Sequence, residues 1–384
     1  MTGPFEFATA RRVVVGPGRV SELPVIVAAL GSRVLICTGS RPDRHAEVVA
    51  GLSLPTAAVA ITAEPTVQDA RAAAEVARAH EADVVVGIGG GSVLDLAKAV
   101  AMLLGNGGDP LDYLELVGRG QPISRESVPF VAIPTTAGTG AEVTANAVLT
   151  VPEHQLKASL RSPLMIPRVA LVDPLLTLDC PPGVTASSGL DAVTQCLEPF
   201  VSRKANPMTD GLAREGLRRA GSGLRRAYLD GTDLDARQAM SVCSLLGGMA
   251  LANAKLGAVH GLAGVVGGTV TIPHGVACAA LLAAVIETNV RALESREPAS
   301  PVLARYEEAA RLLTGGPDAS IADGIGWIRR TTELLGISHL GAFGLRPDQV
   351  DGVVTTAAKA SSMQGNPIRL TDDELRGILT EALG

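Results

Sequence analysis

Aromatic side chains are nearly absent. They make up 2% of 384 residues, so any core must be built from Ala, Val, Leu and Ile, which lift the hydrophobic share to 47%. Cysteine is sparse, unevenly numbered and scattered: Cys37, Cys180, Cys196, Cys243 and Cys278 form no CxxC pair. That pattern excludes a disulfide framework and fits reduced thiols in the cytoplasm. A basic stripe is lacking, and the net charge is −6, which argues against nucleic acid as a partner. The N-terminus shows no basic region followed by an apolar one, so no signal peptide is expected. The longest uncharged apolar run, 276–286, is too short to span a bilayer, and no membrane partner is expected.

The length exceeds one ordinary core and implies two domains. Apolar runs at 34–37, 83–88 and 128–133 read as buried strands, and helical patterns at 68–80 and 92–104 lie between them. Such alternation is the signature of a parallel sheet covered on both faces. Residues 143–176 mix short extended pieces with prolines. Beyond Pro182 strand signals fade, and helical patterns follow at 184–202, 207–228, 233–254, 276–293, 301–314, 319–335, 347–361 and 372–383. The expected organisation is an α/β Rossmann-like domain over 1–180 and an all-α domain over 181–384.

Two polar, glycine-bearing loops follow predicted strands. Gly89-Gly90-Gly91-Ser92, with Asp95 and Lys98 beyond, opens a helix. Glycines let a phosphate approach the backbone, and a helix N-terminus offers free N–H groups, with Ser92 as the expected cap. The segment fits neither G-x-G-x-x-G nor a Walker A, and on its own it is also compatible with a tight strand-to-helix turn. Pro134 to Glu142 places Thr135, Thr136 and Thr139 around Gly138 and Gly140. Ligands of open α/β sheets bind beyond the carboxyl ends of the strands, so two such loops point to one extended ligand such as a dinucleotide.

Only six histidines occur, and two of them, His260 and His274, sit in an apolar, glycine-rich stretch. Asp191 and Gln195 are spaced i, i+4 on a predicted helix, and Glu198 continues that face. A carboxylate with two imidazoles can hold Zn²⁺ or Fe²⁺ and leave a position for a substrate oxygen. A histidine on an apolar face is also commonly a satisfied core residue, and spacing leaves both readings open. His260 is expected in a helical stretch and His274 on a turn beside Pro273.

Taken together and in order, these segments resemble the iron-containing, or group III, alcohol dehydrogenases of the dehydroquinate synthase-like superfamily. The resemblance rests on Gly89 to Lys98, Thr135 to Thr144, Gly189 to Ala192, Pro273 to Gly275 and Asn366 to Thr371. It implies an N-terminal dinucleotide-binding domain, a helical metal- and substrate-binding domain, a metal in the cleft between them, and a homodimer. It implies metal ligation by Asp191, His260 and His274, which then act in catalysis. The family's usual second ligand, a histidine, is Gln195 here, a weaker amide donor. A further histidine that many members carry is Gly264, which removes a proton relay and widens the pocket.

NAD-preferring members often place an aspartate where this chain has Gly39. With Ser40, Arg41 and Arg44 nearby, NADP is favoured over NAD. Lys157 stands where members can place a lysine near the cofactor. Substrate-pocket candidates are Asn146, Val148, Leu251, Gly264 and Ser362. The implied activity is hydride transfer between NAD(P)H and a small-to-medium alcohol or aldehyde. Two other superfamily chemistries remain alongside it: a metal-independent maleylacetate-type reductase and a dehydroquinate-synthase-like cyclase.

Overall fold

A computed structural model describes residues 3–154 and 156–384. The chain packs as two compact units. One comprises Ala8–Thr136 and Gly140–Leu178; the other comprises Asp179–Gly384 together with Ala137–Thr139 and the N-terminal stretch ending at Phe7.

The first unit is α/β. Its strands are β1 (Arg12–Val15), β2 (Val34–Thr38), β3 (Thr56–Ala60), β4 (Val84–Gly89), β5 (Phe130–Pro134), β6 (Asn146–Val151), β7 (Leu156–Arg161) and β8 (Val169–Val172). Its helices are α1 (Leu23–Ala28), α2 (Ala46–Ala50), α3 (Val67–Ala79), α4 (Gly91–Asn106) and α5 (Pro110–Tyr113). Six strands form one parallel sheet in the order β1-β8-β5-β4-β2-β3. The central strands are buried along their whole length, which is why their sequences read as unbroken apolar runs. Alternate residues feed two cores: Leu35, Val85 and Ala132 on one face, Ile36, Val86 and Val131 on the other.

Edge strands β1 and β3 carry weaker patterns and went unmarked in the sequence, as did the antiparallel pair β6–β7 within the irregular stretch. Lys98, wholly buried on α4, fastens that pair. Its ammonium donates to Ala141 O at 2.9 Å, Thr144 Oγ1 at 3.0 Å and Asn146 O at 2.6 Å. Asp95, one turn earlier, accepts from Val148 N at 3.1 Å.

The second unit is helical: α6 (Pro182–Val201), α7 (Pro207–Leu229), α8 (Leu234–Ala254), α9 (Ala258–Thr269), α10 (His274–Arg296), α11 (Pro301–Thr314), α12 (Ile321–Leu334), α13 (Val350–Ala357) and α14 (Asp372–Leu383). Residues 258–269 form a helix, as expected of the stretch that holds His260. Two expectations need correction. The predicted helix 347–361 is α13 flanked by short 3₁₀ turns. And α10 begins at His274 itself, two residues earlier than its apolar pattern indicated, so His274 is not on a turn. Pro273 extends the chain into the cap position and ends the preceding loop. By length and composition α10 could cross a membrane, but 72% of its apolar window is buried inside the protein, as expected of a core helix.

Candidate metal centre and cofactor loops

Helices α6, α9 and α10 bring four potential donors together. One donor atom from each of Asp191, His260, His274 and Cys278 lies within 4.8 Å of every other. Asp191 Oδ1 is 3.3 Å from His260 Nε2 and 4.0 Å from His274 Nε2, and the two imidazole ring centres are 5.4 Å apart. Cys278 Sγ stands 3.6 Å from His274 Nε2. Asp191 and His260 are buried, whereas the His274 side chain is 40% exposed, so the cluster opens on one side.

Sequence built this convergence. Asp191, Gln195 and Glu198 share one face of α6. Gly275 lets the first turn of α10 lie against α6: a Cβ there would stand 2.5 Å from Ser187 O. The start of α9 is held by distant side chains. Val259 N donates to Glu198 Oε1 at 2.7 Å and Ala258 N donates to Asn366 Oδ1 at 3.1 Å, which satisfies two N–H groups that a helix leaves open. A Cβ at Gly257 would intrude on both acceptors. Asn366, in the C-terminal segment singled out in the sequence, also donates to Asn289 Oδ1 and Ile368 O, each at 2.7 Å.

Glu198 performs a second task. Its Oε2 lies 2.7 Å from His260 Nδ1. A carboxylate there keeps the proton on Nδ1 and turns the Nε2 lone pair toward Asp191, the arrangement that carboxylates impose on metal-binding histidines. Gln195 donates from Nε2 to Asp191 Oδ2 at 2.8 Å and so fixes the carboxylate's orientation. Asp191 Oδ1, His260 Nε2 and Gln195 Oε1 are then buried without a hydrogen-bond partner. Leaving such atoms unsatisfied costs about 1–3 kcal/mol each. A divalent cation among them would satisfy the first two at once, so these residues fit a metal ion.

Charge distribution agrees. Burial raises the Asp191 pKa, but the His260 and His274 rings outweigh it and hold the carboxyl below its usual range. Burial lowers His260, yet Cys278, Glu198 and Asp191 leave it well above the ordinary histidine value. Cys278 is the main influence that lifts His274 to about 9. Burial raises the Cys278 thiol, and the two imidazoles more than reverse this.

In the α/β unit, the carboxyl ends of β2, β4 and β5 are adjacent, and Gly39 to Arg41, Gly89 to Ser92, Thr135 and Thr136 lie at or just beyond them. Thr135 N donates to Gly89 O at 3.0 Å, and a Cβ at Gly90 would meet Thr136 Oγ1 at 3.3 Å. A Cβ at Gly39 would lie 3.8 Å from Val93 of α4. The cap of α4 is Gly90, with no side-chain hydrogen bond, so Ser92 is not the cap and sits within the first turn. Ser40 and Arg41 are exposed beyond β2, Arg41 being paired with Asp43 at 3.3 Å. Lys157, on β7, is engaged by Glu64 at 2.5 Å.

Other candidates are dispersed. Thr139 falls with the helical unit. Asn146 and Val148 lie on β6, where their backbone groups serve Lys98 and Asp95. Leu251 is on α8, exposed Gly264 on α9 with open space around its Cα, and Ser362 on a 3₁₀ turn after α13.

Comparison with known proteins agrees with this arrangement. The family profile described as "Iron-containing alcohol dehydrogenase" matches residues 10–174, and "Fe-containing alcohol dehydrogenase family, C-terminal" matches residues 185–383. Alcohol dehydrogenase 4 of Schizosaccharomyces pombe is 36% identical over 320 residues, covering 83% of this chain and 73% of that protein. The 1,3-propanediol dehydrogenase of Citrobacter freundii is 35% identical over 322 residues, covering 83% and 81%. The solved structure of an alcohol dehydrogenase from Oenococcus oeni superposes with a TM-score of 0.90 at 30% identity, covering 99% of this chain and 100% of that one.

Proposed function

The chain belongs to the iron-containing alcohol dehydrogenase family and is an oxidoreductase acting on CH–OH groups; from that premise we propose that it interconverts small-to-medium aldehydes and alcohols with NAD(P)H, aided by one divalent ion. The observation that carries the metal requirement is the pair of buried, unpartnered atoms Asp191 Oδ1 and His260 Nε2. Asp191, His260 and His274 would hold the ion. When bound, it would polarise the carbonyl oxygen and stabilise the developing alkoxide.

The protein's own residues prepare this chemistry. Glu198 fixes the His260 tautomer, and Gln195 fixes the Asp191 carboxylate. The loops at Gly89–Ser92 and Thr135–Thr136 would bind the cofactor's phosphates, drawing on the unfilled N-terminus of α4. Asp95 and Lys98, farther along α4, anchor β6. Gly264 offers no side-chain acid, so the proton would come from solvent or from the cofactor's ribose hydroxyls. The open space at Gly264 supports a roomy pocket, with Leu251 and Ser362 as further candidates for its lining.

NADPH is the favoured cofactor. Gly39 presents no carboxylate to repel a 2′-phosphate. The Arg41–Asp43 pair is exposed and screened by solvent, so the guanidinium is readily diverted to a phosphate. A cytoplasmic homodimer remains the expected working form. The test is reduced-nicotinamide consumption across a panel of aldehydes, with NADH and NADPH in parallel. His260→Ala should abolish kcat while cofactor binding, read by nicotinamide fluorescence, survives. Full kcat in a folded His260→Ala protein would defeat the proposal.

A further inference from the structure

Cys278 was not among the residues the sequence singled out, because its relation to His274 is visible only once α10 is seen to start at His274. It then stands one turn on, at i+4, on the same helix face. We propose that Cys278 is a direct metal donor, its thiolate completing a tetrahedral set with Asp191, His260 and His274 that selects Zn²⁺ over Fe²⁺. This rests on the metal-dependent reading given above and goes beyond it in ligand identity and metal class.

The geometry carries the assignment. Zinc bonds of about 2.0–2.1 Å to nitrogen or oxygen and about 2.3 Å to sulfur, at tetrahedral angles, set O···N edges near about 3.3 Å and N···S edges near about 3.6 Å. Asp191 Oδ1 to His260 Nε2 is 3.3 Å, and Cys278 Sγ to His274 Nε2 is 3.6 Å. Two edges of the polyhedron are thus already set. The remainder, within 4.8 Å, need only a modest inward movement, for which the half-exposed His274 ring has room.

Gln195 is the competing fourth donor, and its chemistry is poorer. Its amide N–H is committed to Asp191 Oδ2, and an amide oxygen is a weak ligand for a transition metal. A thiolate is a soft donor suited to zinc. Among the described residues, this is the one group of three or more His, Cys, Asp and Glu side chains close enough to share an ion. The remaining buried thiol pair, Cys196 and Cys243, lies 3.9 Å apart between α6 and α8 and faces no such cluster. On binding, the Cys278 thiol gives its proton to solvent and its sulfur lone pair to the ion, with no change of oxidation state. A catalytic zinc with four protein donors must become five-coordinate to accept a carbonyl oxygen, as such ions can.

The test is X-ray absorption at the zinc edge of the full-length protein, stripped of metal and reloaded with zinc alone. The expected result is one sulfur scatterer at about 2.3 Å, absent from Cys278→Ser and from Cys278→Ala, with zinc affinity lowered at least about tenfold in both. The measurement on the unaltered protein needs no variant, so misfolding of a variant cannot obscure it. Stoichiometric zinc surrounded by nitrogen and oxygen only would overturn the role of Cys278 and leave the metal-dependent reading standing. Failure to bind zinc in protein that binds Fe²⁺ would overturn the role of Cys278 alone, and failure to bind either ion would overturn both.

Discussion

Replacing Glu198 with Gln tests how the centre is organised. The substitution keeps volume and one acceptor. At present Oε1 accepts from Val259 N and Oε2 stands at His260 Nδ1, each at 2.7 Å, in a side chain that is 7% exposed. With the amide oxygen kept at Val259 N, the amide N–H₂ faces His260 Nδ1 and can only donate. His260 must then accept at Nδ1 and carry its proton on Nε2, the atom that faces Asp191. A ring in that tautomer has no lone pair for a metal. If the amide turns instead, the N–H of Val259 confronts an N–H₂ group and the start of α9 loses a cap. Either way a charge-assisted bond of about 1.5–3 kcal/mol is lost, equivalent to about a 10–100-fold weaker metal affinity. Competition against a chromophoric chelator reads the affinity, and thermal melts of the metal-free proteins check that the fold is retained. A folded Glu198→Gln protein that binds metal as tightly as the parent would refute the reasoning.

Other consequences concern the α/β unit. Lys98→Met leaves Ala141 O, Thr144 Oγ1 and Asn146 O without their shared donor and should destabilise by about 2–4 kcal/mol, measured by chemical denaturation. Burial pushes Glu142 up to about 7 from 4.5, its own backbone hydrogen bond and Lys98 only partly offsetting it. The folded state therefore holds more protons than the unfolded state between those values, and stability falls as pH rises through that window. Glu142→Gln should flatten this part of the profile, and an unchanged slope would remove Glu142 as its source. Arg41→Ala should raise KM for NADPH by about 10–100-fold and leave KM for NADH nearly unchanged, since only the former carries the 2′-phosphate. Equal effects on both would show that Arg41 does not read that phosphate.

The buried strands β2, β4 and β5 were legible because a parallel sheet covered on both faces needs unbroken apolar runs, while β8 was left within the irregular stretch 143–176. Strands β1 and β3 were not, since edge positions tolerate Arg12, Thr56 and small residues. Asp191, His260 and His274 stood out as polar groups in apolar surroundings, and the structure brings all three together. Glu198 was placed on the right helix face, but its role depends on the close approach of α9, which no local pattern encodes. The donor set was harder to read in full. A two-residue error at the start of α10 hid the i+4 relation of His274 and Cys278, and an isolated cysteine in an apolar run resembles any small core residue. The assignment of Ser92 as helix cap failed for a related reason: the glycine before it already adopts the extended cap conformation, and Ser92 follows inside the first turn.

The central claim is that turnover depends on an ion held by these helices. The direct measurement is aldehyde-dependent NAD(P)H oxidation by protein stripped of metal with a chelator, then titrated with a divalent ion while bound metal is quantified. The account predicts that activity vanishes on stripping and returns in proportion to bound metal, levelling off at a single ion per chain. Metal-free protein that turns over at the parent rate would contradict it.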